Sequence, residues 1–225
     1  MHEIKSNKAF LTLAIVGLVL AVVSIANSNP VQPAKQDAHD DAVIESLESR
    51  AKTVDRGIRY LTRKNPCWGI AANSKARHRM AIEIVKAAGR HEIPPLLLAV
   101  TVKRESSFQH DVTGSIGEVG LVQVHGLAAS RCNDLDSIPG QLDCGAAWLR
   151  KSFEVCGDWR GAVTVYMSGQ CSAGKRSALG KAVTSRLNQW RKLEEVTAEC
   201  ETTSSDHWVC GPPERSCRAR IRTID

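Results

Sequence analysis

Residues 91–108 read "HEIPPLLLAVTVKRESSF", and the order of those side chains decides the fold class. Pro94 and Pro95 mark a helix start, since proline is tolerated in a first turn whose N–H has no intrahelical partner. Residues 96–103, LLLAVTVK, carry apolar side chains around the whole circumference, as a deeply buried helix requires. Leu98 and Glu105 are seven residues apart, which at 3.6 per turn sets them on nearly one face, with Thr101 and Val102 between them. Glu105 therefore extends an apolar stripe into the last turn of a buried helix. Burial disfavours the ionised carboxylate there, and so does the negative end of the helix dipole. Lys103 and Arg104 are neighbours in sequence but point elsewhere around the helix. A carboxyl kept protonated near neutral pH can serve as a general acid, whereas a glutamate reaching water from the helix end would not.

Around this segment the chain reads as mainly α. Residues 75–90 have Met80, Ile84, Ala87 and Ala88 on one side, with Gly89 as the expected stop. Residues 142–153, 159–167 and 183–196 show helical spacing, the last through Val183, Leu187, Trp190, Leu193 and Val196. Strand alternation is nearly absent, so residues 67–200 are expected to form one compact α-rich domain. Upstream, residues 27–66 divide in two. A polar stretch to about Asp41 reads as a linker, and Ile44, Leu47, Ala51, Val54, Ile58 and Leu61 then draw one helical stripe. That stripe either packs on the following domain or self-associates as a short stalk. Residues 201–225 form a tail with two cysteines and four arginines, disulfide-tied or partly disordered.

The N-terminus predicts export. Residues 9–26 are uncharged, preceded by Lys5 and Lys8 and followed by Asp37, Asp40 and Asp41. As a helix they would reach ~27 Å, close to the hydrocarbon thickness, which favours an inner-membrane anchor over a cleaved signal peptide. Ser24-Ile25-Ala26 nevertheless offers a small-x-small cleavage pattern. The main domain is then expected on the periplasmic side. Eight cysteines with no C-x-x-C pair fit disulfides made in an oxidising compartment better than a zinc site, although eight allow 105 pairings. His110 and His125 lack metal-ligand spacing, and no metal or organic cofactor is expected. The formal net charge of +6 calls for an acidic partner. No helix-turn-helix spacing, zinc-finger pattern or aromatic strand motif accompanies it, so nucleic acid is not expected.

Beyond the helix, Glu105, Ser106 and Phe108 are followed by Gly117 twelve positions after the acid and by Gly120-Leu121-Val122-Gln123 from position fifteen. Residues 165–169 read "VYMSG". Together these resemble the signature of the lysozyme-like lytic transglycosylases: E-S-x-F closing a buried helix, a glycine, G-L-M-Q, and a later A-Y-N-x-G. The likeness covers roughly residues 75–190. Val122 stands for the methionine of G-L-M-Q and Met167 for the asparagine of A-Y-N-x-G. Gly114 takes the place of a frequent serine nine positions after the acid, and Glu118 that of the alanine in G-A-x-G.

The resemblance implies a goose-lysozyme-like helical fold acting on the glycan strands of peptidoglycan. Glu105 would be the catalytic residue, protonating the oxygen between N-acetylmuramic acid and N-acetylglucosamine and then taking a proton from the muramic C6 hydroxyl. Ser106, Phe108, Gly120, Leu121, Gln123 and Tyr166 would form the substrate-binding set. Gln123 would hydrogen-bond the glycan, Gly117 and Gly120 would let backbone approach it, and Tyr166 would line the cleft. Two alternatives stand beside this. Glu118 as second carboxylate would make a lysozyme-type hydrolase, which generally needs a pair of carboxyl groups. An altered cleft would leave a non-catalytic peptidoglycan-binding scaffold. Wall turnover, passage of a phage, and partnership with a cell-wall-spanning secretion or conjugation assembly all fit such a chain.

Overall fold

A computed structural model describes residues 33–64, 69–124 and 126–202. The apolar run 9–26, His125, the tail beyond residue 202 and the side chains of Cys67, Cys200, Cys210 and Cys217 lie outside what is described. Seven helices follow in the described residues: α1 Pro33–Thr62, α2 Ser74–Arg90, α3 Pro95–Ser106, α4 Gly126–Ala129, α5 Ile138–Cys156, α6 Trp159–Ser168 and α7 Ala178–Thr202. Short 3₁₀ turns occupy Gly69–Ala72 and Gly120–Val122. No strand forms among them, only isolated bridges pairing Thr113 with Val119 and Val119 with Val124. None of the described helices is long and apolar enough to cross a membrane.

The chain divides into two units, Met1–Val43 and Ile44–Asp225. The first is described only from Pro33, as the opening turns of α1. Residues 33–41 are thus helical where the sequence reads as a linker. Pro33 suits a first turn, and Ala34, Lys35, Gln36 and Ala38 are strong helix formers, so propensity supplies a helix that no apolar period announces.

Within the second unit α3 is the central element, packing on α2, on α7 and on the Gly120–Val122 turn. Leu97, Leu98, Ala99, Val100, Thr101 and Val102 are all fully buried, each of the larger aliphatic side chains contributing about 2 kcal/mol. Thr101 is tolerated there because its hydroxyl donates to the Leu97 carbonyl at 3.0 Å. The α1 stripe packs into the same core through Ala51, Val54, Ile58 and Leu61, while Ile44 remains exposed. Arg77 of α2 meets Asp55 of α1 at 2.9 Å in a largely buried ion pair.

Side-chain caps set the helix starts. Asn73 accepts from the Ala76 N–H at 3.0 Å, Ser137 from Gly140 at 3.1 Å and Asp158 from Gly161 at 2.6 Å. Helix α2 runs through Gly89 to Arg90, so the expected glycine stop is displaced, and Glu92 supplies the left-handed residue with φ 51°. Among the described residues the disulfides Cys132–Cys144 and Cys156–Cys171 tie loops to α5.

Candidate active site

Glu105 occupies the last turn of α3, and the chain leaves that helix through two consecutive left-handed residues, Ser107 at φ 54° and Phe108 at φ 68°. Such a conformation costs roughly 1–2 kcal/mol per non-glycine residue. Burial of the Phe108 ring, 5% exposed, offsets it and turns the chain back across the end of α3. Ser106 is buried too, its hydroxyl donating to the Val102 carbonyl at 3.2 Å. Ser106 and Phe108 therefore shape the helix end beneath the acid, not the surface before it.

A buried amide of α5 holds the returning loop. Gln141 Oε1 accepts from the Leu121 N–H at 2.8 Å, while its Nε2 donates to the carbonyls of His110 at 3.0 Å and Leu135 at 2.8 Å. A Cβ on Gly120 would stand 2.2 Å from Gln141 Oε1, and its φ is +64°, so glycine is required there by the amide. Gly120 thus has a structural cause of its own, apart from the expectation that backbone there approaches the glycan. Leu121, fully buried, is likewise core.

Glu105, Glu118, Gln123, Trp148, Tyr166 and Arg186 line one open cavity of about 700 Å³. Four of these are residues the sequence singled out: Glu105, Gln123 and Tyr166 for the site, and Glu118 as the alternative second carboxylate. Glu105 keeps about a fifth of its side chain exposed, 21%, and its Oε1 accepts a hydrogen bond from Arg186 Nη1 at 2.7 Å. Arg186, 7% exposed, comes from α7. The sequence reading surrounded Glu105 with apolar groups and missed this partner. Lys103 and Arg104 do point away, Lys103 to Ser107 Oγ at 3.3 Å and Arg104 to Gln189 Oε1 and Ser185 Oγ at 3.0 and 2.7 Å.

The Tyr166 hydroxyl donates to the Val122 carbonyl at 2.6 Å, with its ring partly exposed on the cavity. Desolvation of that oxygen, reinforced by the charge of Glu105 and opposed by Arg186, pushes the phenol well above its ordinary range. It stays protonated as a donor. Gln123, left-handed at φ 48°, donates from Nε2 to the carbonyls of Gly120 at 2.8 Å and Val112 at 3.3 Å. Its amide thus braces the loop before it meets anything else.

Glu118 accepts from the Ile116 N–H at 3.0 Å. A Cβ on Gly114 would lie 2.2 Å from Glu118 Oε2 and 2.9 Å from Gln123 Oε1. The carboxylate of Glu118 therefore fills space that any side chain at position 114 would claim. Among the described residues no three His, Cys, Asp or Glu side chains converge as a metal cage would need.

Residues 83–187 match the family model described as the transglycosylase SLT domain. The match begins in α2 and ends one residue past Arg186, and so includes all six cavity residues named above. No curated protein and no solved structure matches the chain. The matched domain supports a peptidoglycan-acting function of the lytic transglycosylase type.

Proposed function

We propose that the SLT domain of residues 83–187 cuts peptidoglycan strands without water, with Glu105 as both acid and base. The observation that carries this reading is the position of Glu105: the end of a buried helix, on the cavity, with one carboxyl oxygen tied to Arg186. The tie engages Oε1, so Oε2 is assigned as the oxygen that meets substrate. Glu105 gives its proton to the glycosidic oxygen as the bond from C1 of N-acetylmuramic acid breaks. The resulting carboxylate takes the proton of the C6 hydroxyl while O6 closes on C1. One proton leaves and one returns, and the product is a 1,6-anhydro ring. The nucleophile belongs to the substrate, so orientation in the cleft replaces a second protein carboxylate. The Gln123 carbonyl oxygen and the Tyr166 ring are the parts of those side chains that serve the sugar, because the Gln123 amide nitrogen and the Tyr166 hydroxyl are already engaged.

A second reading rests on Glu118, which lines the same cavity. As a base for water it would make the chain a hydrolase. Mass spectrometry of soluble muropeptides separates the two, since anhydro ends are lighter by one water than hydrolysed ends. Glu105→Gln is expected to abolish release while the melting temperature stays near wild type, and undiminished release by that variant sinks the mechanism. Retention on wall with no fragments from the wild-type chain would instead indicate a scaffold. The apolar run at residues 9–26 and its flanking charges place this activity outside the cytoplasmic membrane in our reading.

A further inference from the structure

The cavity that holds Glu105 has a neighbour. A second cavity of about 830 Å³ shares Ala128 and Trp148 with it in its lining. The face of α5 that builds its wall recurs at helical spacing through Asp143, Ala147, Trp148 and Lys151. The facing wall comes from Arg90 and His91 at the end of α2 and from Arg131 and Asp134 in the loop after α4.

Both carboxylates that line this cavity are committed. Asp143 accepts from Arg90 Nε at 2.7 Å and lies 2.9 Å from His91 Nε2. Burial pushes its carboxyl upward, but those two hydrogen bonds outweigh burial and hold it below the ordinary carboxylate range. Asp134 is held low chiefly by the Ser137 hydroxyl, with the N–H groups of Asp136 at 3.0 Å and Ser137 at 3.2 Å assisting. Arg131 and Lys151 differ: both are exposed, and among the described residues neither meets a carboxylate. The Cys132–Cys144 disulfide joins the segment bearing Arg131 to the helix bearing Trp148 and Lys151, which keeps the two cations and the ring in one frame.

We infer that this second cavity is a subsite for the carboxylate-bearing peptide branch of the strand whose sugar lies in the first, with Trp148 as the wall between sugar and peptide. The inference rests on the cleavage reading for the choice of polymer. A neutral sugar chain offers two cations hydrogen-bond acceptors but no opposite charge, whereas a peptide hung from the ring beside Glu105 can bring its carboxylates to Arg131 and Lys151. Exposed ion pairs are individually weak, so the subsite sets preference among strands and does not by itself hold them.

The test compares wall glycan carrying its peptide branches with the same glycan stripped of them by an amidase and with the lactyl carboxylates so freed capped as amides. For the full chain, the ratio of kcat/KM between the two substrates is expected to fall about tenfold in the double variant Arg131→Ala, Lys151→Ala, with the change in KM. An unchanged ratio overturns the subsite. Retention of the Glu105→Gln chain on the two glycans supplies a readout independent of turnover: branched strands should be held more tightly, and adding the double substitution should erase the difference. Equal retention on both glycans overturns the inference even in a chain that cuts neither. Absence of cleavage with a retention difference intact would count against the catalytic reading alone.

Discussion

Glu105 and Glu118 face one cavity and are held there by different means. Glu105 leaves the last turn of α3, whose residues from Leu97 to Val102 are fully buried, and its carboxyl is gripped from α7 by Arg186 at 2.7 Å. Glu118 stands on a loop that forms no strand, with its carboxylate bonded to a backbone N–H two residues away. A reacting group must stay within a fraction of an ångström of its working position, and tertiary packing of a helix supplies that better than local loop geometry. A carboxylate on a loop can follow the ligand, which suits a contact more than a proton transfer. The assignment of acid to Glu105 and of an accessory place to Glu118 rests on that difference in support.

The loop is nevertheless anchored from α6 by Tyr166 and from α5 by Gln141, and removing the second of these should give the largest effect. Gln141→Ala leaves the Leu121 N–H and the carbonyls of His110 and Leu135 without their partner. At about 1–3 kcal/mol for each buried group left unsatisfied, the expected loss is about 4 kcal/mol, read from the midpoint of urea unfolding. Amide exchange should rise over residues 109–124 while α3 stays protected. Equal loosening of α3 would mean that helix and loop are one cooperative piece, and the contrast drawn above would fail. The next largest effect concerns the helix side. Glu105→Ala strips the partner from a guanidinium that is 7% exposed, and breaking such a pair costs about 3 kcal/mol. Glu105→Gln still offers Arg186 an amide oxygen, so its thermal unfolding should lie much closer to wild type. Identical melting of the two variants would show that Arg186 is not held by Glu105.

What was legible in the sequence follows the same division. Helix α3 announced itself because a helix buried on every side must be apolar on every side, and the prolines before it fixed its start. The register from Glu105 to Gln123 was legible as a pattern, but a pattern does not separate contact from core: Ser106, Phe108 and Leu121 shape the helix end and the interior, while Gln123 and Tyr166 reach the cavity. Arg186 was missed although a signal existed. It lies three residues after Val183 and one before Leu187, on the buried side of α7, where a charge requires a partner. Gln141, beside the fully buried Leu142, carries the same kind of signal. The opening of α1 left no such trace, since a polar helix has propensity without period.

Position 114 gives the smallest effect and the most direct test of how Glu118 is placed. A side chain there would collide with Glu118 Oε2, whose carboxylate is the movable end of a flexible chain. Gly114→Ser should therefore displace Glu118 and not unfold the loop, costing about 1 kcal/mol for the lost bond to the Ile116 N–H. The same substitution in a Glu118→Ala background meets no carboxylate, only the Gln123 amide oxygen 2.9 Å from the new Cβ, and should cost less, giving a coupling of up to about 1 kcal/mol in a double-mutant cycle. Strict additivity would place Glu118 away from Gly114 in solution. Since the serine would occupy space that the carboxylate now fills, the pair Gly114 and Glu118 acts as one unit, and activity of the double variant measures what the loop carboxylate adds beyond filling it. If that variant releases anhydro fragments at the wild-type rate, Glu118 is dispensable for the chemistry and the water-activating role falls with it.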